Sequence, residues 1–358
     1  MKRSRTLLVI LLGALLVAPL SEVLACTTFC MTQGQQSFFG KNYDWMVPDG
    51  LVMVNKRGVA KTSSIGPEEG RPAKWTSKYG SLTFNQYGRE FPSGGMNEPG
   101  LAIELMWLDD TQYPGPDGKP VVGCLEWIQY QLDNYATVAE VVRHAGDLRI
   151  SAGAKIHFLI CDKGGSCATV EFLGGKPVVH TGTDLPAKAL ANHTYEKSLR
   201  FREANKGDAA ALHGRGSLQR FARAADRADR FAAAKAGDPV AYAFETLADV
   251  AQGDYTQWSI VYDLKGGRVH WRTRTNPRVR SAALAAFDFS CGKPVKVLGI
   301  DEGEGAVGGL FKDYTPGRNR ELVASSFRKT PFLAGTTAAE IDGVILHPES
   351  TSCAVSSR

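Results

Sequence analysis

Leu24-Ala25-Cys26-Thr27-Thr28-Phe29 is the stretch on which the reading of this chain turns, because an export leader ends there and a cysteine follows. Cleavage before Cys26 makes that residue the first of the mature chain. It then carries a thiol and a free α-amine. The amine has a pKa of about 8 and the thiol about 8.5, so near neutral pH either can pass a proton to the other. The residue becomes a nucleophile with its own base attached.

Upstream, Lys2, Arg3 and Arg5 give a positive start, and Leu7–Leu16 is an apolar run too short for a comfortable bilayer span. Residues 1–25 therefore read as a secretory signal, and the mature chain as exported, periplasmic or secreted, with no stable membrane span. A second reading treats Val23-Leu24-Ala25-Cys26 as a lipobox. Cys26 would then be a lipid anchor with a blocked amine, and the chain a lipid-anchored binding protein. The dense block after Cys26 lacks the polar tether expected of such an anchor.

Of the 358 residues, 25 belong to the leader, which leaves 333. That length buries one large core, and no clean linker divides it, so residues 26–358 read as a single domain. The formal charge is +5; without Lys2, Arg3, Arg5 and Glu22 it falls to +3. A balance so mild, with no basic run, gives no footprint for nucleic acid. Seven cysteines in an exported chain leave six once Cys26 is set aside. Cys161 and Cys167 flank a turn, Asp162-Lys163-Gly164-Gly165-Ser166, and either bridge across a hairpin or stay as buried thiols. Cys30, Cys124, Cys291 and Cys353 have no readable pairing, and no spacing suggests a metal.

Along the chain, Thr27–Met31 and Ser37–Trp45 form a hairpin that returns Lys41 and Asp44 toward Cys26. Leu51–Val54, Ser81–Tyr87 and Leu101–Leu108 read as strands. Gly58–Lys78 reads as loop, and Gly94–Gly100 as a tight turn. Gly123–Ala145 has helical spacing with a break near Asn134. A meander follows over Ile156–Cys161, Ala168–Leu173 and Lys176–His180. Helices follow over Tyr195–Leu212, from Ser217 to about Phe231, and from Asp238 or Pro239 to about Val250. Tyr255–Tyr262 and Arg268–Thr273 close a hairpin. Past Gly308 the chain reads as peripheral, and Ser325–Arg358 as partly loose. Strands, then helices, then strands again suit stacked sheets with helices outside, an α+β fold.

In that order, Cys26-Thr27-Thr28-Phe29, Phe39-Gly40-Lys41-Asn42-Tyr43-Asp44-Trp45, Gly95-Met96-Asn97-Glu98-Pro99-Gly100-Leu101, Asn192-His193-Thr194-Tyr195, Gln219-Arg220-Phe221 and Thr256-Gln257-Trp258 resemble the choloylglycine hydrolase family, which includes penicillin V acylases and bile salt hydrolases. The resemblance spans Cys26 to about Arg274. It implies an N-terminal nucleophile hydrolase with a four-layer αββα sandwich, cutting a linear amide in a small-molecule substrate without metal or organic cofactor, and often assembled as a homotetramer. By the same resemblance Cys26 is the nucleophile and, through its amine, the base. Asp44 holds that amine, Asn192 donates to the oxyanion, and Arg220 lies near the thiol. Two departures stand out. Lys41 occupies a position where bile salt hydrolases have arginine; it keeps the charge and loses the planar fork. Trp107 stands where they have asparagine, so a backbone N–H near it would serve as the second oxyanion donor. These departures look like the penicillin V acylases of Gram-negative bacteria, a branch similar to acylases of N-acyl homoserine lactones. Phe29, Trp45, Met46 and Trp107 are candidates for an apolar acyl pocket. A separate enzyme reading pairs His157 with Cys161 or Cys167, since His157 and Cys161 share one face of a strand.

Overall fold

Cys26 leads directly into a hairpin. Strand Thr27–Gln33 pairs antiparallel with Gln36–Asp44, in a register that sets Thr28 opposite Lys41 and Phe29 opposite Gly40. The computed structural model describes residues 26–354 apart from 152 and 234–236, so the proposed leader lies outside the described residues. Nearly every residue of the hairpin is buried, which is why its strands read as continuous runs rather than alternating ones. One face meets helix Ser217–Ala233 and helix Pro239–Asp249, and the other meets a second sheet.

The first sheet has seven strands in the order Ala189–Leu190, Thr27–Gln33, Gln36–Asp44, Thr256–Asp263, Arg268–Thr273, Arg280–Ala283 and Gly305–Ala306. The second has nine: Lys176–Thr181, Cys167–Leu173, Ile156–Cys161, Ala102–Trp107, Pro92–Asn97, Ser81–Asn85, Leu51–Asn55, Lys296–Gly299 and Lys312–Asp313. Between the sheets Phe84 packs edge-on against Tyr262, and the Tyr262 hydroxyl donates to Glu104 at 2.5 Å. Helix Cys124–Asn134 covers the outer face of the second sheet, stacking Trp127 on Phe158. The result is helix, sheet, sheet, helix: the αββα sandwich expected.

The helices begin where their caps dictate. Asp238 caps Pro239–Asp249 by accepting from the Val240 N–H, with Pro239 in the first turn. Thr137 and Glu140 form a reciprocal capping box that separates helix Val138–His144 from Cys124–Asn134.

Three expectations need correction. Gly58–Lys78 contains strands Val59–Thr62 and Lys74–Thr76, too short for periodicity to reveal, and Ser352–Cys353 adds a third. Gly94-Gly95-Met96 lies in strand Pro92–Asn97, and the turn falls just after it. The glycines are there for space, because a Cβ on Gly94 would lie 2.2 Å from the Glu104 carboxyl carbon and one on Gly95 would lie 2.6 Å from the Leu82 carbonyl oxygen. As far as residue 354 the tail is built of regular elements rather than loose, with Pro316–Lys329 and Ala338–Leu346 as helices, and the last four residues lie outside the described residues. A disulfide from Cys353 to Cys291, 62 residues earlier, ties it back. Cys161 and Cys167 do bridge, being directly opposed across their hairpin with 4.2 Å between Cα atoms.

Candidate active site

At the end of the first hairpin the thiol of Cys26 is buried and directed at the Asp44 carbonyl, 3.9 Å away. Burial pushes this thiol above its ordinary pKa; the Lys41 ammonium works against that, and Asp44 adds to it. Asp44 is wholly buried. Its Oδ1 accepts from the Thr256 hydroxyl at 2.5 Å. Its Oδ2 accepts no hydrogen bond among the described residues, and Arg220 Nη1 stands 3.8 Å from it. Desolvation outweighs both partners and pushes the Asp44 carboxyl up to about 6.

Arg220 is the hub. Read alone, an arginine between Arg215 and Arg223 on a helix suggests a solvated face, but its side chain is fully buried. Nη1 donates to the Cys26 carbonyl at 2.8 Å and to the Thr27 hydroxyl. Nη2 donates to Asn192 Oδ1 at 3.0 Å, and Nε to the Arg215 carbonyl at 3.0 Å. With its amide oxygen turned inward, Gln252 accepts from Nε and Nη2 at 3.0 and 3.2 Å. Burial lowers the guanidinium to about 10, so it stays cationic at neutral pH. A planar fork can serve this many acceptors at once; an ammonium cannot.

Asn192 follows strand Ala189–Leu190, which flanks the Cys26 strand. Its amide is fixed at both ends. Oδ1 faces Arg220, and Nδ2 donates to the Trp107 carbonyl at 2.8 Å. Leu108 N–H donates to the Lys155 carbonyl, so by antiparallel alternation the N–H of Trp107 points away from strand Ile156–Cys161.

Lys41 is fully buried, donating to the Leu105 carbonyl and lying 3.8 Å from Glu104 Oε2. Burial pushes the Glu104 carboxyl up to about 7, against the pull of Lys41 and the Tyr262 hydroxyl. Below pH 7 the lysine charge therefore acts on Cys26 uncompensated. Above it, a carboxylate appears beside the lysine and offsets that pull. Glu104→Gln removes the offset without adding charge. Cys26 in this variant is expected to be alkylated by iodoacetamide roughly threefold to tenfold faster at pH 8, and at an unchanged rate at pH 6. Mass spectrometry of the Cys26 peptide reads the rate separately from the buried free thiols Cys30 and Cys124.

Beside Cys26 and Asp44 opens a cavity of about 390 Å³. Trp45 and Trp107 line it, as the sequence suggested. Phe29 and Met46 do not. Phe29 faces Gly40 across the hairpin so closely that a Cβ there would lie 2.4 Å from its ring, which makes it core. Met46 packs partly buried against the core. Sequence reading missed Tyr87, Phe91 and Cys124, and from the tail Phe327, Phe332, Leu333 and Val344. Only apolar character marked these residues, and core residues share it. The His157–thiol pair does not exist. Cys161 is bonded to Cys167, and the His157 ring is held between Glu171 at 2.9 Å and the Ala191 carbonyl at 2.7 Å. Among the described residues, the cysteines with metal-ligand spacing are Cys30, Cys161 and Cys167, and two of those sulfurs are committed to the disulfide. No helix of the described residues is long and apolar enough to cross a membrane.

Known proteins are similar to this chain in sequence and fold. The family model of acyl-coenzyme A:6-aminopenicillanic acid acyl-transferase matches residues 30–269. Penicillin V acylase of Pectobacterium atrosepticum is 34% identical over 127 residues, which cover 30% of this chain and 33% of that protein. The match thus spans about a third of that relative's length. The structure of penicillin V acylase from Agrobacterium tumefaciens superposes with a TM-score of 0.72 at 27% identity, covering 81% of this chain and 98% of that one. A variant of conjugated bile acid hydrolase from Clostridium perfringens superposes at 0.64 with 17% identity, over 78% of this chain and 98% of the other, a likeness of fold. The motif resemblance and the family match agree, and the chain belongs to the acyl-coenzyme A:6-aminopenicillanic acid acyl-transferase family, the group of penicillin acylases and choloylglycine hydrolases.

Proposed function

We propose that this protein hydrolyses a linear amide with Cys26 as both nucleophile and base, after export and cleavage behind Ala25. The observation that carries the reading is Asp44 Oδ2, a buried carboxylate oxygen beside Cys26 that has no donor among the described residues. Such an oxygen is costly to bury unmatched. Cleavage would turn the Cys26 peptide N–H into an α-amine, which can donate to that oxygen and be held as a base.

In the reaction, the amine takes the thiol proton and sulfur attacks the amide carbonyl carbon. The Asn192 amide and the Trp107 N–H are the proposed donors to the oxyanion. As the tetrahedral adduct collapses, the C–N bond breaks, the amine's proton goes to the leaving nitrogen, and a thioester remains. Water, deprotonated by the same amine, attacks the thioester and releases the acid. Lys41 favours thiolate against the burial that opposes it, and the buried Arg220 guanidinium interacts electrostatically with the same thiol.

The acyl side fits the apolar cavity. Its walls are mainly aromatic and aliphatic, with few polar groups to meet the hydroxyls of a bile steroid. We therefore place penicillin V-like aryl acyl groups and the fatty acyl groups of N-acyl homoserine lactones ahead of conjugated bile salts. A lipid anchor at Cys26 sits poorly with a residue only 3% exposed. The two disulfides suit an oxidising compartment outside the cytosol.

Two measurements test the reading together: mass spectrometry of the mature N-terminus, and amine release from penicillin V, an N-acyl homoserine lactone and a conjugated bile salt. A chain starting with unmodified Cys26 that releases amine from either of the first two is expected. A lipid adduct, a different first residue, or no amine release from all three would overturn it.

A further inference from the structure

The family match ends at residue 269, yet part of the cavity wall comes from beyond it. Helix Pro316–Lys329, the turn Pro331–Leu333 and helix Ala338–Leu346 supply Phe327, Phe332, Leu333 and Val344. This tail is fastened at several points. The Trp45 indole N–H donates to the Tyr87 hydroxyl at 2.8 Å, and that hydroxyl bonds the Thr330 hydroxyl at 2.9 Å. Ser325 donates to Asp49 at 3.2 Å, and Cys353 is bonded to Cys291.

Phe332 is the informative residue. Its side chain is 55% exposed, unusual for a ring so well placed to bury itself. Its centroid lies 6.0 Å from Trp45, edge to face, and 6.3 Å from Trp107, while the two indoles lie 6.3 Å from each other. Three rings in mutual contact, one of them half in water, make a collar at the mouth of the cavity. Trp107 ends strand Ala102–Trp107 and Trp45 follows strand Gln36–Asp44, whereas the outer ring belongs to the tail turn Pro331–Leu333.

We propose that Phe332 is a specificity-determining residue: the tail holds its ring across the cavity mouth, favouring compact aryl acyl groups and restricting long unbranched ones. This rests on the amide-hydrolase reading given above. Phe332→Ala opens the collar. The ratio of kcat/KM for dodecanoyl amide over phenoxyacetyl amide is expected to rise about tenfold, mainly through KM, the size of effect that an apolar pocket contact gives. Replacing both Cys291 and Cys353 with serine loosens the tail and moves the ratio the same way. Because Phe332 is half exposed, its truncation should leave the fold intact, and the melting temperature checks this.

A second readout needs no hydrolysis. Tryptophan fluorescence follows binding of the two free acids, dodecanoate and phenoxyacetate, to the full mature chain. Phe332→Ala should bind dodecanoate relatively more tightly, by a similar factor. Ratios within twofold of wild type in both assays would overturn the proposal, and so would failure of the wild type to bind either acid. If the wild type cuts neither amide but the acid ratio still shifts, the hydrolase reading fails and the role of Phe332 stands.

Discussion

Cys26→Ala, once processed, is expected to release amine from a good substrate at least about a thousandfold more slowly than wild type. Alanine leaves the α-amine, Asp44 and Arg220 in place, so the loss belongs to sulfur. It also removes only one buried atom, and a change in melting temperature of more than a few degrees would show that something else had broken. Serine restores a nucleophile of similar shape but far weaker acidity, so a processed Cys26→Ser retaining full activity would refute the thiolate step. The amine is tested separately. A glycine inserted between Ala25 and Cys26, with cleavage kept before it, leaves the thiol while moving the amine one residue away. Loss of a positioned base of this kind costs about 10²–10⁴ in rate. If the insertion were harmless, the proton would be travelling by another route.

The parts of this site that sequence could reveal are those set by short-range geometry. The hairpin of Thr27–Gln33 and Gln36–Asp44 brings Asp44 back to Cys26 whatever the rest of the chain does. A two-residue turn between two β-prone runs is readable without tertiary knowledge. Arg220 is different. Its helix is legible, but nothing in Ser217–Ala233 says that this arginine faces inward while Arg223 and Arg227 stay partly exposed; that depends on the Cys26 strand packed against it, and only motif resemblance pointed there. Glu104 lay within a strand read as buried and apolar, and its partnership with Lys41 and Tyr262 joins three strands from both sheets. The tail was the largest failure. Helix Pro316–Lys329 carries few apolar residues and looks peripheral, and long-range contacts, among them the Cys291–Cys353 bond and the packing of Phe332 on Trp45 and Trp107, turn the tail into a cavity wall. Phe29 failed in the opposite sense: an aromatic beside a nucleophile suggests substrate contact, yet strand alternation sends its ring to Gly40.

Arg220→Met should cost about 3–5 kcal/mol of stability, the usual loss when one partner of a buried charge pair is removed, and most of the activity with it. The reason lies in what the guanidinium leaves behind. The Cys26 carbonyl, the Arg215 carbonyl and Asn192 Oδ1 each lose a donor, and Asp44 loses its nearest cation. Asn192 can then turn away from Trp107, so the expected kinetic signature is a fall in kcat with KM little changed. Arg220→Lys keeps the charge but cannot serve all these acceptors, and should restore stability more than rate. The pH dependence follows from Asp44. Its folded pKa of about 6 lies above the ordinary value of 3.8, so the folded state holds this proton more tightly than the unfolded one, and ionising Asp44 destabilises the fold as pH rises through that interval. Without Arg220 the folded pKa climbs further. The stability gap between wild type and Arg220→Met should therefore be smaller at pH 5, where Asp44 is mostly protonated in both, and wider at pH 8. Adding Asp44→Asn to Arg220→Met removes the titrating group, so the double variant should lose this widening. Urea unfolding of wild type, Arg220→Met, Asp44→Asn and the double variant at the two pH values completes the cycle. A gap that is the same at pH 5 and pH 8 would mean that the two side chains are not electrostatically coupled, and that Arg220 acts on the site only through its hydrogen bonds to Cys26 and Asn192.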